Sequence, residues 1–318
     1  MTMMILFCAL AAVAQAPAAS QQAPVTQPPA AAQAPPDTDV FLARITVDDG
    51  RMTLGPAENI SNSPGYDNQP SFAPDGTSIY FTSARGGKLA GATAPQMDIY
   101  RYVLASKQTE AVTRTPESEY SATATSDGRI SVIRVEADGT QRLWSFTTGG
   151  NDPRLVLTDI KPVGYHAWLD ADTLALFVLG QPATLQIASV RTGIAQIAAS
   201  DIGRSLQKIP GGGVSFVQRT GVGTERTMMI SEVLLEAGKP ITRPLTTAIP
   251  GATDEYVVWT PDGTLLMAAA GKLYAWRRGQ QWAPVADLTA LGVTSVSRLA
   301  MSPKGEWLAL VGQRPVSR

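Results

Sequence analysis

One segment recurs about every 46 residues and constrains this chain more than anything else in it. Its clearest copy is Gln69-Pro70-Ser71-Phe72-Ala73-Pro74-Asp75-Gly76-Thr77-Ser78-Ile79-Tyr80-Phe81. It returns at Val257 to Met267 around Pro261-Asp262-Gly263, and at Leu299 to Leu310 around Pro303-Lys304-Gly305. In each copy an apolar strand, a tight turn and a second apolar strand make a hairpin. Proline presets one turn torsion and glycine accepts a positive φ. A hairpin repeated at a period of roughly 40–50 residues is the pattern of propeller blades.

Three weaker copies complete the set. They centre on Ser126-Asp127-Gly128, on Asp170-Ala171-Asp172 and on Pro210-Gly211-Gly212-Gly213. A third strand follows five of the six, as in Asp98-Ile99-Tyr100-Arg101-Tyr102 and Lys272-Leu273-Tyr274-Ala275-Trp276, and a short fourth strand closes each blade. The sixth copy lacks its third strand. Asp39-Val40-Phe41-Leu42-Ala43-Arg44-Ile45 carries the missing pattern at the other end, and Met52–Leu54 and Asn59-Ile60-Ser61 supply the fourth strand. The expected fold is therefore all-β: a six-bladed β-propeller over residues 37–318 whose last blade is completed by residues 37–62. That closure leaves no unpaired sheet edge between the first and last blades.

The first residues read as a targeting segment. Met3 to Val13 is an apolar run followed by Ala12-Val13-Ala14, the form of a secretory leader over residues 1–14. The run is too short for a bilayer, which needs about 20 apolar residues. Residues 15–36 contain only Ala, Pro, Gln, Ser, Thr and Val, the composition of an extended linker. Cys8 is the single cysteine and falls inside the leader, so disulfides, thiol catalysis and cysteine-held metals are excluded from the mature chain. A periplasmic or secreted location is expected. The formal net charge of −1 leaves no basic footprint for nucleic acid.

Pro70-x-Phe72-x-Pro74-Asp75-Gly76-x-x-Ile79-Tyr80-Phe81-x-Ser83, followed by Asp98-Ile99-Tyr100-Arg101, resembles the TolB-like, WD-related propeller repeat of bacterial exported proteins. The resemblance covers about residues 39 to 318. It implies six blades, export, and a protein or peptide partner of the cell envelope. The α/β domain that precedes the blades in TolB is expected to be absent here, and so is a hydrolase domain after them.

Catalytic chemistry is poorly represented. His166 is the only histidine, and no Gly-x-Ser-x-Gly elbow exists to pair with it. It sits in Tyr165-His166-Ala167-Trp168, where a structural role is expected. Ser126-Asp127-Gly128 has the wrong spacing for a sialidase Asp-box. Pro210-Gly211-Gly212-Gly213 lacks the Lys-Ser/Thr of a phosphate loop. No cofactor is expected.

One constellation stands out. Alignment of the six copies on their turns brings Asp67-Asn68-Gln69, Glu119-Tyr120-Ser121, Tyr165-His166, Arg204-Ser205, Asp254-Glu255-Tyr256 and Ser297-Arg298 to equivalent positions. These segments lead into the innermost strands and converge on the mouth of the central channel. Asp67, Asn68, Glu119, Tyr120, Tyr165, His166, Arg204, Glu255, Tyr256 and Arg298 are the candidate binding residues, being side chains suited to polar recognition and to hot spots. The expected function is non-catalytic binding of a protein or peptide there. The alternative is a small-molecule hydrolase, lactonase or cyclase with a metal held in the channel by Asp67, Glu119, Asp254 or Glu255.

Overall fold

The computed structural model describes residues 35–88, 90, 94–221, 227–252 and 254–314. The expected leader and nearly all of the expected linker lie outside these residues. The described residues contain no helix. Their 24 strands form six four-stranded antiparallel sheets.

The chain opens with β1 (Asp39–Asp48) and β2 (Arg51–Asn59). Blade one is β3 (Asp67–Phe72), β4 (Ser78–Ser83), β5 (Asp98–Val103) and β6 (Gln108–Ala111). Blade two is β7 (Ser118–Ala124), β8 (Arg129–Val135), β9 (Gln141–Thr147) and the two-residue β10 (Arg154–Leu155). Blade three is β11 (Val163–Trp168), β12 (Thr173–Val178), β13 (Thr184–Ser189) and β14 (Ala195–Ser200). Blade four is β15 (Ile202–Lys208), β16 (Val214–Thr220), β17 (Thr227–Glu236) and β18 (Lys239–Thr247). Blade five is β19 (Val257–Trp259), β20 (Leu265–Ala269), β21 (Lys272–Trp276) and β22 (Ala283–Asp287). Blade six joins β23 (Thr294–Met301) and β24 (Trp307–Gln313) to the first two strands, in the order β2-β1-β24-β23. The register runs Val40 opposite Val311 and Leu42 opposite Ala309. The ring closes as the sequence predicts.

The hairpin turns form for local reasons. Gly76, Gly128, Gly263 and Gly305 sit at φ between 72° and 81° and donate back to Ala73, Thr125, Thr260 and Ser302. The third turn has no glycine. There the Asp170 carboxylate accepts the backbone N–H groups of Asp172 and Thr173 at 2.9 and 2.8 Å, an aspartate turn that replaces the glycine.

The core is six apolar layers, each between two neighbouring blades. Ile79, Phe81 and Tyr102 meet Val40, Leu42 and Val311 between blades one and six. Tyr80, Ile99 and Val112 meet Ile130, Val132 and Phe146 between blades one and two. The remaining layers repeat the arrangement around the ring. Two indoles, the half-buried Trp168 and the buried Trp259, tie two of these layers with a shared device. Trp168 Nε1 of blade three donates to Ser131 Oγ of blade two at 2.9 Å, and Trp259 Nε1 of blade five donates to Ser215 Oγ of blade four at 2.8 Å. A tryptophan that crosses to the next blade satisfies its N–H and fills the layer together.

Candidate functional site

The innermost strands β3, β7, β11, β15, β19 and β23 wall a central channel. All but β19 are irregular near their leading ends, with register shifts such as those between Asn68 and Ser71 and between Tyr120 and Thr123. A bulge re-aims the side chain it carries. Gln69 and Ser121 occupy equivalent bulge positions at φ 57° and 55°, and both line the channel. Gln69 then clamps the two blades together. Its Oε1 accepts from the Ser121 N–H at 2.7 Å, Ser121 Oγ at 3.0 Å and Thr82 Oγ1 at 3.1 Å, while its Nε2 donates to the Tyr66 hydroxyl at 3.2 Å.

The other blades place Tyr165, Arg204, Tyr256 and Arg298 at the same level. Arg298 is the centre of this group. Its Nη2 donates to the Tyr165 hydroxyl at 2.9 Å and to the Tyr256 hydroxyl at 2.6 Å. Its Cζ lies 4.0 Å from the Tyr256 ring centroid and 5.0 Å from that of Tyr165. Each ring thus presents both its face and its hydroxyl to one cation. Burial pushes Tyr66 up to about 12 and raises Tyr256 well above the ordinary phenol. Tyr165 goes the other way: burial would raise it, but the charges of Arg298 and Arg204 and its hydrogen bonds outweigh burial and lower it.

This level divides the channel. A cavity of 560 Å³ lies against the second halves of the inner strands and the hairpin turns, with Phe72, Trp168, Trp259 and Met301 in its walls. A second, of 650 Å³, lies against the leading ends, with Tyr66, Met97, Tyr120, Phe177 and Leu179 in its walls. Gln69, Tyr165 and Arg204 line both.

The candidate residues therefore separate into groups. Tyr165, Arg204, Tyr256 and Arg298 converge. Tyr120 lines the second cavity and packs against the layer between blades two and three. Asp67, Asn68 and Glu119 turn away from the channel and are almost fully buried. Asp67 pairs with Arg85 at 3.3 Å, the Asn68 carboxamide accepts the Gln69 N–H at 2.7 Å, and Glu119 takes the Thr115 hydroxyl with Arg134 at 3.6 Å. Glu255 is buried beside the channel, where it pairs with Arg219 at 2.6 Å and accepts the Arg204 backbone N–H. His166 stands in the wall of the first cavity with Nε2 2.7 Å from Ser131 Oγ, while its Nδ1 has no partner among the described residues. Burial pushes it down to about 3, so it is neutral at ordinary pH and ties blade three to blade two. Gln69 and Ser121 lie inside the aligned segments but not among the candidates, and Tyr66 precedes those segments. Positive φ at a polar residue three positions before an apolar strand end is not legible in single letters.

Three of the four carboxylates proposed as metal ligands are committed elsewhere, Asp67 to Arg85, Glu119 to Thr115 and Arg134, and Glu255 to Arg219, while Asp254 lines a cavity beside Glu255. Among the described residues no three His, Cys, Asp or Glu side chains converge as a cation-binding set. Donor geometry therefore does not fit a metal held by these groups.

Glu255 fixes the Arg204 backbone, and Gly203 leaves it room. A Cβ on Gly203 would stand 2.2 Å from Glu255 Oε2. Gly203→Ala is expected to push the carboxylate off Arg219 and off the Arg204 N–H, at a cost of about 1–3 kcal/mol. Chemical denaturation measures this, and an unchanged midpoint would contradict the assignment.

The sequence matches no family model and no curated protein. Solved structures match by fold. A putative TolB from Agrobacterium tumefaciens superposes with a TM-score of 0.63 at 15% identity over 88% of this chain and all of that one. A gluconolactonase from Xanthomonas campestris gives 0.58 at 9% identity over 89% of this chain and 99% of that one. TolB from Acinetobacter baumannii gives 0.48 at 19% identity over 64% of this chain. This chain spans about half, 51%, of that protein's length. The fold and its channel define a six-bladed β-propeller, and its likeness to these proteins is one of fold.

Proposed function

We propose that this chain is an exported binding propeller that engages a protein or peptide partner of the cell envelope at the mouth of its channel. The observation that carries the reading is the group of Tyr165, Tyr256, Arg298 and Arg204 beneath a mouth walled by Met97, Phe177 and the half-exposed Leu179. Aromatic side chains and arginine are the residues that dominate binding energy, and an apolar rim over a polar floor suits an inserted segment. Likeness to TolB folds and the leader-like residues 1–14 support the compartment. A pull-down by crosslinking from the envelope fraction of the host tests the reading. The double variant Arg204→Glu/Leu179→Asp changes two accessible side chains and is expected to lose the partner while melting near the wild type. Equal capture by the variant would sink the reading.

Small-molecule turnover as a lactonase or related hydrolase ranks second. Its support is the shared fold of the gluconolactonase and a first cavity of ligand size, 560 Å³. Elemental analysis of the purified protein, with lactone hydrolysis assayed before and after chelation, separates it from the first.

A further inference from the structure

We propose that the constriction of the channel is a carboxylate-binding site, with Arg298 as the anchoring cation and Arg204 as the second. The inference starts from charge. Several partly buried arginines elsewhere in the ring are matched with acids: Arg85 with Asp67, Arg134 with Glu117 and Arg219 with Glu255. Arg298 and Arg204 form no ion pair among the described residues, although both line the same cavity. Asp201, Asp254 and Glu255 line a cavity with Arg204, but none of them pairs with it among the described residues, and Glu255 is already shared between Arg219 and the Arg204 backbone. For the half-buried Arg298 the lack of a counter-charge is costly unless something supplies the anion, and the exposed Arg204 stands ready to add a second contact.

The donors are also unspent. A guanidinium has five N–H groups. Arg298 uses only Nη2 in hydrogen bonds among the described residues. Its Nε and Nη1 atoms are not among the buried polar atoms left without partners, so they meet open channel rather than packed protein. The Tyr165 oxygen accepts an Arg298 N–H and is also hydrogen-bonded with Tyr256, so this tyrosine holds the guanidinium in place. The Arg204 side chain makes no hydrogen bond among the described residues, and its charge is felt at Tyr165.

Shape selects the anion. The Tyr165 and Tyr256 rings lie against the Arg298 guanidinium and their hydroxyls hold its Nη2. A fixed planar fork matches a planar carboxylate with two parallel hydrogen bonds. The adjoining cavity, walled by Phe72, Trp168, Trp259 and Met301, receives the apolar or ring-shaped body that carries the carboxylate. The site stands whether that carboxylate arrives on a peptide or as a free acid.

Calorimetric titration of the full chain at low ionic strength tests this with four probes: the tripeptide Ala-Ala-Tyr with a free C-terminus, its C-terminal amide, benzoate and gluconate. At least one free carboxylate is expected to bind, and the amide is expected to bind about tenfold more weakly or not at all, the loss of a charge-assisted pair. Arg204→Gln, at an exposed position, is expected to weaken the bound probe about tenfold, and Arg298→Lys to weaken it similarly because charge remains but the planar fork is lost. Preference for the peptide identifies a macromolecular source, and preference for benzoate or gluconate a small acid. Binding of no carboxylate probe, equal binding of the amide, or unchanged binding by Arg204→Gln overturns the site.

Discussion

Deletion of residues 37–62 is expected to convert this protein from a soluble ring into an aggregating chain. The reason lies in a single strand that serves two layers. In β1, Val40 and Leu42 point into the layer shared with blade one, and Phe41, Ala43 and Ile45 into the layer shared with blade five. All five are buried. Each large aliphatic or aromatic side chain contributes about 1.5–3 kcal/mol on burial. The four large ones together approach the whole stability of a typical domain, about 5–15 kcal/mol. The deletion also bares the hydrogen-bonding edge of β24, now paired with β1 from Asp39 opposite Gly312 to Arg44 opposite Trp307. A bare apolar edge strand templates association with other chains. Size-exclusion chromatography and a thermal melt check the outcome. A soluble monomer with a cooperative transition would contradict the role of the strand. Phe41→Ala provides a milder version, expected to remain soluble and to lose about 3–5 kcal/mol in denaturant.

That closure was legible in the sequence because it is a matter of counting. Five hairpins are followed by a third strand and one is not, and the spare strand has the right alternation of apolar residues. The turns were legible because Pro74-Asp75-Gly76 and its relatives carry their own geometry. The two blade-crossing tryptophans look like core residues in sequence, but the serines that receive them, Ser131 and Ser215, are unremarkable letters until the neighbouring blade is in place.

The site was legible only in part, and the bulges explain the difference. Alignment on the turns located the level of the channel, and Tyr165, Arg204, Tyr256 and Arg298 stand there. Regular alternation cannot say which of Asp67, Asn68 and Gln69 faces inward once a residue at φ 57° interrupts the strand. The outcome is opposite to a chemist's preference: the carboxylates Asp67 and Glu119 are turned into the protein, and the neutral Gln69 and Ser121 are turned into the channel. Acids hidden in this way leave Arg204 and Arg298 as the charged side chains at the level of Tyr165 and Tyr256.

Those hidden acids make stability depend on pH in a direction opposite to ordinary surface carboxylates. Glu119 is fully buried, its Oε2 has no partner among the described residues, and burial pushes it up to about 7 from an unfolded value of 4.5. Asp98 lies nearby and is pushed up to about 6, again chiefly by burial. A group whose folded-state value is raised holds its proton more tightly in the native state. Its contribution is fully present below pH 4.5 and is lost as the pH rises through about 7. For Glu119 the shift corresponds to about 3 kcal/mol. His166 has the reverse sign. Burial lowers it to about 3, so its contribution is complete above its unfolded value of 6.5 and is lost as the pH falls toward 3. The two effects oppose each other between pH 4.5 and 6.5, and a melt of the wild type alone shows only their difference. Glu119→Gln resolves them. The amide keeps the size of the side chain and removes its titration, while Arg134 retains Glu117 as its partner. His166 titrates in both proteins and cancels when one stability curve is subtracted from the other. Coupling to Asp98 moves the midpoint of the difference curve without changing its sign. The variant is expected to be the more stable protein at pH 8, by about 2–3 kcal/mol, and the advantage is expected to vanish by pH 4.5. Denaturant melts at half-unit pH intervals measure it. A variant less stable than the wild type at pH 8 would show that Arg134 and Thr115 hold the Glu119 charge well enough to outweigh its burial.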